Sequence, residues 1–173
     1  HLIMQYNISP ETLKDERHPT ASVDRILSEE LNFELYQDSA VCPNGAMYRK
    51  DVRGFLPEIM EKIYKDRTVY KKKMLEAKRQ YEKTKTKKLE KEISRCNNIQ
   101  MARKIQLNSA YGAIGNQYFR YYKLANAEAI TLSGQVSIRW IENKMNQKIN
   151  QILKTEDVDY VIASDTDSIY LNL

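Results

Sequence analysis

The sequence contains neither glycine nor proline between residues 58 and 111, and this absence constrains the fold more than any other feature. Because glycine and proline disfavour helix interiors, while Pro57 suits the first helical position, the stretch predicts long helices. A single helix of this length would be unusual in a globular domain, so we predict two antiparallel helices. The β-branched threonines within residues 83–88 favour the chain reversal there, and Asn97-Asn98 is the second candidate.

The flanking segments predict short strands and further helices, so the expected fold class is α+β. A Pro-Asn-Gly sequence at residues 43–45 predicts a tight turn, and residues 46–50 then predict a short strand of a small hairpin. Residues 9–12 predict a short helix with Ser9 as its cap, and residues 23–35 a weakly amphipathic helix. The most regular apolar spacing lies at residues 127–153 and predicts a scaffold helix packed on a sheet.

Composition excludes several classes of protein. With 173 residues, 42% hydrophobic and 29% charged, the chain can build a core and does not resemble a disordered tail. It has no long apolar span and no export signal, so we expect no membrane association. Two cysteines and two histidines are too few for a zinc site of ordinary spacing, and a reduced intracellular setting is expected. Since the sequence starts with histidine and stops within a strand-like run, we expect a piece of a longer protein.

Positive charge is concentrated in one segment. Residues 61–92 contain thirteen Lys or Arg against six Asp or Glu, whereas the whole chain carries a net charge of +5. A basic helical element of this kind indicates a polyanionic partner. The alternative is a lysine-rich helix face in contact with solvent only.

Residues 104–112 carry the first candidate binding group. On a helix, Lys104, Asn108 and Tyr111 stand at positions i, i+4 and i+7 and therefore share one face. Lysine suits a phosphate and a tyrosine ring suits a base or base pair. The alternative interpretation is a solvated helix face with one half-buried tyrosine.

Two further cations extend this group. Arg67 and Lys71 lie one turn apart on the first predicted helix, and they face Lys104 if the two helices close into a hairpin. Three converging cations suit a triphosphate, and arginine adds bidentate geometry. The sequence contains no glycine-rich phosphate loop, so side chains would hold the phosphates.

Two carboxylates lie near the end of the chain. Asp165 and Asp167 fall in a polar turn between apolar strand-like runs, which predicts a β-hairpin with both acids at its tip. Carboxylate oxygens suit Mg²⁺, which binds one or two of them together with substrate phosphates. An acidic surface turn is the alternative, and an EF-hand is disfavoured because the glycine and the closing glutamate of its loop are missing. Together with the cations, the pair indicates two-metal nucleotidyl transfer, without choosing between DNA and RNA.

Both groups resemble the motifs of a known family. Lys104-x-x-x-Asn108-Ser109-x-Tyr111-Gly112 resembles the fingers motif of family B DNA polymerases, and Asp165-Thr166-Asp167-Ser168 resembles their palm motif, in the same order along the chain. Residues 7–12 and 111–116 further resemble the replicative polymerases of T4-like bacteriophages. The resemblance covers essentially the whole chain.

The resemblance implies roles for individual residues. Asp167 is expected to ligate both Mg²⁺ ions of the complete enzyme, with Asp165 beside it. Arg67, Lys71 and Lys104 are expected to bind the triphosphate of the incoming dNTP. Asn108 is expected near that nucleotide, and Tyr111 with Gly112 at the nascent base pair.

The resemblance also implies a domain organisation and partners. Residues 1–54 are expected to belong to the palm, with its antiparallel sheet. Residues 55–116 are expected to form the projecting fingers hairpin, and residues 117–173 to return to the palm with the aspartate hairpin. The expected partners are primer–template DNA and dNTPs, with a sliding clamp and other replisome proteins binding parts that lie elsewhere. A viral protein acting in the cytoplasm of a bacterial host is the expected setting.

One departure from the family pattern limits the expected activity. The family's other catalytic aspartate lies in a D-x-x-S-L-Y-P stretch that does not occur in this sequence. We therefore expect this chain alone to bind dNTP weakly and not to polymerise. Two other functions stay open: a non-catalytic helical module that binds nucleic acid through residues 61–92, and a metal-dependent nuclease, which a single acidic hairpin disfavours.

Overall fold

The computed structural model describes residues 1–172 and has the predicted α+β architecture. Within this range it contains five α-helices: α1 (Leu2–Gln5), α2 (Val23–Leu27), α3 (Phe55–Thr84), α4 (Lys87–Ile114) and α5 (Leu124–Leu153). The strands are β1 (Leu13–Arg17), β2 (Ser39–Val41), β3 (Ala46–Arg49), β4 (Val161–Asp165) and β5 (Ser168–Leu171). A 3₁₀ turn occupies Glu34–Tyr36. Within residues 1–172, no helix is both long and apolar enough to span a bilayer.

Strands β1, β3 and β2 form an antiparallel sheet in that order, with β3 at its centre. The predicted turn at residues 43–45 joins β2 to β3, so the predicted hairpin is confirmed. Gly45 adopts a φ of 79°, which favours glycine, and a Cβ at this position would lie 2.8 Å from the carbonyl oxygen of His18. The turn residue is thus fixed both by backbone conformation and by the close approach of a neighbouring segment.

The core lies where this sheet meets the ends of the long helices. Its buried side chains come from the N-terminal segment, β3, the first turns of α3, the end of α4 and α5: Ile3, Ile8, Tyr48, Leu56, Met60, Ile114 and Ala129. The Tyr48 hydroxyl donates a 2.8 Å hydrogen bond to Oδ1 of Asn126, and both side chains are fully buried. This bond satisfies the phenol that the core would otherwise leave unpaired, and it joins the sheet to α5.

Helices α3 and α4 form the predicted antiparallel hairpin. The reversal occurs at Lys85 and Thr86, inside the predicted segment, and Lys85 adopts a left-handed φ of 44° at the end of α3. The second candidate for the reversal, Asn97-Asn98, is wrong because both residues lie inside α4. With 30 residues, α3 is about 45 Å long, and only its first turns contribute to the core beside the sheet.

Two local predictions are wrong. Residues 9–12 form turns rather than a helix, because their side chains bond to the start of α3 instead of capping a helix of their own. Residues 23–35 do not form one helix: α2 ends at Leu27, and Glu29 then adopts a left-handed φ of 58°. Ser22 does cap α2, since its Oγ accepts a hydrogen bond from the amide of Arg25.

Candidate active site

The helical hairpin places two of the three predicted cations, Arg67 and Lys104, at nearly the same level, and the third, Lys71, one turn away. The ion pair between Asp66 and Arg103, at 3.5 Å, joins α3 to α4 and shows their register. Because the helices are antiparallel, Arg67 and Lys104 lie one residue to either side of this pair, within about 3 Å of each other along the axis, with Lys71 one turn further along α3. The position of the reversal between α3 and α4 sets this register. If the register were shifted by one turn, Arg67 and Lys104 would be separated.

These cations are free to bind an anion. Among residues 1–172, neither Lys71, Lys104 nor Arg67 takes part in an ion pair. Lys71 and Lys104 are exposed, while Arg67 is half-buried and its Nε is buried without a hydrogen-bond partner. A buried donor without an acceptor is unfavourable, so a ligand oxygen at this position would stabilise it.

The acids nearby are already paired, which leaves the cations in excess. Asp66 pairs with Arg103, and Glu61 pairs with both Lys65, at 2.9 Å, and Arg53, at 3.4 Å. The pKa of Glu61 is held below its usual value, chiefly by the hydrogen bond from Lys65. The local field at Arg67 and Lys71 is therefore positive.

The last turns of α4 present the remaining predicted residues of the fingers motif. Asn108, Tyr111 and Gly112 are all exposed. The Tyr111 hydroxyl lies 2.9 Å from Oγ1 of Thr131 on α5, so the ring is held in place although 44% of the residue is exposed. A Cβ added at Gly112 would meet no atom within 4 Å, so packing within the described chain does not require glycine there.

The predicted aspartate hairpin is formed by β4 and β5. Thr166 adopts a left-handed φ of 52° at the tip, and the amide of Asp167 donates to the carbonyl of Asp165 at 2.6 Å. The Thr166 hydroxyl donates to Oδ1 of Asp165 at 2.9 Å, and the Ser168 hydroxyl to its carbonyl at 3.1 Å. Both carboxylates are exposed, and within residues 1–172 neither has a cationic partner.

Two asparagines of α5 that the sequence pattern did not single out attach this hairpin. Asn146 accepts from the amide of Tyr160 at 2.9 Å and donates to the carboxylate of Asp159 at 2.7 Å. Asn150 donates to the carbonyl of Val158 at 2.8 Å and accepts from its amide at 3.1 Å. Their i, i+4 spacing beside the apolar stripe of α5 was the available signal, because such amides favour pairing with backbone groups.

The residues divide into two groups in space. The cations lie on α3 and α4, whereas the aspartates lie on a separate hairpin that packs on α5. Their donor chemistry fits a magnesium–nucleotide, with two carboxylate oxygens for a hard cation and unpaired cations for phosphates. The described residues contain no cluster of three or more Asp, Glu, His or Cys side chains, so substrate phosphates would have to supply further ligands.

A family model described as DNA polymerase family B matches residues 1–173. The chain belongs to this family. The family B chain is 32% identical to the DNA-directed DNA polymerase of Enterobacteria phage T4, in a match that covers 98% of the chain and 23% of the phage protein. It is 33% identical to the DNA-directed DNA polymerase of Escherichia phage RB69, over 99% of the chain and 23% of that protein. The chain thus spans less than a quarter of the length of these relatives.

Solved structures support the fold of this family B chain. It resembles the family B DNA polymerase of the hyperthermophilic archaeon Pyrobaculum calidifontis with a TM-score of 0.57. That match covers 97% of the chain and 18% of the archaeal one, at 24% sequence identity. The arrangement of the sheet, the helical hairpin and α5 is therefore that of the corresponding part of a family B polymerase.

Proposed function

We propose that this chain forms the fingers and part of the palm of a DNA-directed DNA polymerase. The enzyme would transfer a nucleotidyl group from a dNTP to a primer 3′-hydroxyl, as directed by a template. Residues 55–116 would be the fingers, and residues 1–54 and 117–173 would belong to the palm. The phage relatives support this assignment because they bear the name of that activity.

The observation that carries the proposal is the set of unpaired cations within one turn of each other along the α3–α4 hairpin. Arg67, Lys71 and Lys104 would bind the triphosphate oxygens, with the buried Nε of Arg67 gaining its missing acceptor. On a fully solvated face water would satisfy this nitrogen, although the Nε of Arg103, which pairs with Asp66, is buried without a partner as well. The cations are thus better explained by an anionic ligand than by solvent exposure alone.

The remaining site residues would orient the reacting groups. The sugar and the nascent base pair would be bordered by Asn108, Tyr111 and Gly112. The ring of Tyr111 is held in place and Gly112 has no Cβ, so both favour contact with a flat base pair. Asp165 and Asp167 would hold Mg²⁺ at the tip of their hairpin. When bound, Mg²⁺ would neutralise charge on the triphosphate and acidify the primer hydroxyl. Movement of the hairpin toward the palm would complete the site only around a correct pair.

Substitution of Lys104 tests this proposal in a full-length polymerase that contains this segment. We expect Lys104→Ala to raise the KM for dNTP by about tenfold or more, since a charge-assisted contact is lost, with little change in duplex affinity. Lys62→Ala is the matched control, because Lys62 is exposed on α3 and forms no ion pair among residues 1–172. Equal effects of both substitutions, or a larger effect on duplex binding, would contradict the proposal.

Partners and setting follow from the same assignment. Primer–template DNA and dNTPs would be the substrates, and a sliding clamp with other replisome proteins would bind outside this segment. The phage relatives suggest a viral protein that acts in the cytoplasm of a bacterial host. Primer extension with and without the clamp would test the partner assignment.

A second function is favoured by charge at the end of the hairpin. Residues 78–91 contain seven Lys or Arg and two Glu, and in the described part of the chain none of them forms an ion pair. A non-catalytic hairpin that binds nucleic acid would need only these charges, and its affinity would fall steeply with salt. Under this alternative, Lys104→Ala, a substitution outside the basic segment, would leave duplex binding nearly unchanged and would weaken dNTP binding no more than Lys62→Ala does.

A further inference from the structure

The first amides of α3 are all bonded by side chains from a segment more than forty residues earlier. Helices begin with amides that have no partner within the helix. Here Oδ1 of Asn7 accepts from the amide of Gly54 at 2.9 Å, and Oε1 of Glu11 accepts from that of Phe55 at 2.6 Å. The Ser9 hydroxyl accepts from the amide of Leu56 at 3.4 Å. The next residue is Pro57, which has no amide hydrogen, so no donor in this first turn is left unpaired.

The three side chains are themselves fixed. The Ser9 hydroxyl donates to Oε2 of Glu11 at 2.6 Å, which orients that carboxylate toward α3. The Asn7 amide group donates to the carbonyls of Arg49 and Val52, at 2.6 and 2.8 Å. Asn7 adopts a left-handed φ of 57°, which asparagine tolerates better than most residues.

The start of α3 also packs directly against the segment whose side chains bond to it. A Cβ added to Gly54 would lie 2.5 Å from the Cβ of Ser9 and 3.2 Å from Cγ2 of Thr12. The backbone at the start of α3 therefore rests directly on the segment that bonds it. The Thr12 hydroxyl donates to the carbonyl of Asn7 at 2.6 Å and closes the loop on itself.

We propose that Asn7, Ser9 and Glu11 are positioning residues for the incoming nucleotide, an inference that rests on the proposed polymerase function. They fix the direction in which α3 leaves the sheet, and α3 carries two of the cations assigned to the triphosphate. Arg67 lies twelve residues beyond Phe55, or about 18 Å along the helix axis. A tilt of about 10° at the start of α3 would displace Arg67 by about 3 Å, enough to remove a hydrogen bond to a phosphate.

Substitution of Glu11 is the most informative test, because Glu11 is exposed and its loss does not open the core. In a full-length polymerase that contains this segment, we expect Glu11→Ala to raise the KM for dNTP by about fivefold, with primer–template affinity unchanged. Glu11→Gln keeps an oxygen that can accept from Phe55 and should restore the KM. Glu58→Ala is the matched control: it removes one carboxylate from the first turn of α3, where Glu58 is exposed and forms no ion pair among residues 1–172.

A distance measurement tests the geometry independently of activity. Spin labels at Asp15→Cys on β1 and Thr86→Cys at the reversal would report the angle between sheet and hairpin by double electron–electron resonance. We expect one narrow distribution for the parent protein and for Glu58→Ala, a broader or shifted one for Glu11→Ala, and recovery with Glu11→Gln. A Glu11→Ala distribution that superimposes on the parent, or an unchanged KM for dNTP, would overturn the inference.

The same pair of measurements separates this inference from the polymerase proposal. If the parent protein extends no primer, the polymerase proposal fails and the role in nucleotide positioning fails with it. If the parent extends primers and Glu11→Ala changes neither the KM for dNTP nor the distance distribution, only the positioning role fails. A drop in primer–template affinity equal to the rise in KM would indicate general destabilisation and would also overturn it.

Discussion

The hydroxyl of Tyr111 lies 2.9 Å from Oγ1 of Thr131 and ties the last turns of α4 to α5. Thr131 donates its own proton to the carbonyl of Ala127 at 3.0 Å, so Tyr111 is the donor to Thr131. The ring is thereby oriented while one side remains open to solvent. A rigid, partly exposed aromatic surface at the end of the fingers motif is suited to test the shape of a base pair.

Removing this hydrogen bond should affect selectivity more than rate. We expect Tyr111→Phe to reduce discrimination against mismatched dNTPs by about fivefold, because one hydrogen bond contributes about 1 kcal/mol. The ring remains, so kcat/KM for the correct dNTP should change little. Single-nucleotide insertion assays would measure both. Tyr118→Phe is the control, since Tyr118 is 88% exposed, and an equal loss of selectivity there would contradict the role of Tyr111.

Gly112 offers a test in which stability and activity should change in opposite directions. A Cβ at this position meets nothing within 4 Å, so Gly112→Ala should stabilise α4 by about 0.5–1 kcal/mol. If the open space is used by the nascent base pair, the same methyl group should lower kcat/KM for dNTP insertion. Thermal unfolding and primer extension would measure the two effects.

Gly115→Ala is the matched control for that experiment. Gly115 ends α4, and its added Cβ would make only ordinary contacts at 3.9 Å. We expect this substitution to leave insertion kinetics unchanged. A Gly112→Ala variant that is more stable and fully active would show that Gly112 does not face the substrate.

The buried Cys42 thiol predicts a loss of stability at alkaline pH. Burial raises the pKa of Cys42 from 9.0 to about 12, with the Ser133 hydroxyl acting weakly in the opposite direction. Between these values the folded state retains a proton that the unfolded state has released. The stabilisation is therefore complete below pH 9 and falls as pH rises toward 12, by about 1.4 kcal/mol per pH unit.

Urea denaturation at pH 8, 9.5 and 10.5 would measure this effect. In Cys42→Ala the free energy of unfolding should fall less steeply over the same range. Burial also raises the pKa values of Tyr48 and Tyr6, so a smaller decline should remain in the variant above pH 10. Equal slopes for both proteins would show that Cys42 ionises normally in the folded state.

The 173-residue chain by itself should not synthesise DNA. The described residues provide two exposed carboxylates and no larger acidic cluster, which is too few to hold two ions before a nucleotide binds. We expect weak, Mg²⁺-dependent dNTP binding by calorimetry and no primer extension. Robust extension that is abolished by Asp167→Asn would contradict this expectation.

The long elements and the motif residues on them could be predicted because their signals are local. The absence of glycine and proline from residues 58–111 predicts α3 and α4, and the threonines near Lys85 predict their reversal. The apolar runs on either side of the polar turn at Asp165 predict β4 and β5. These elements place the predicted cations on one hairpin and both aspartates on another.

Features that depend on distant partners could not be predicted in the same way. Ser9-Pro10-Glu11 carries a valid signal for a helix start, but the helix that it caps begins at Phe55. Likewise, Asn146 and Asn150 acquire their role only once Val158 and Tyr160 fold back onto α5. A capping residue in the sequence indicates that some helix begins nearby in space, but it does not identify which helix that is.

The most direct test of the proposed polymerase function is a crystal structure of a full-length polymerase that contains this segment, bound to primer–template, an incoming dNTP and Ca²⁺ in place of Mg²⁺. We expect Lys104 to contact the triphosphate while Asp167 ligates a cation bound to the same nucleotide. Lys104 and Asp167 in separate clefts, with the nucleotide contacted by only one of them, would contradict it.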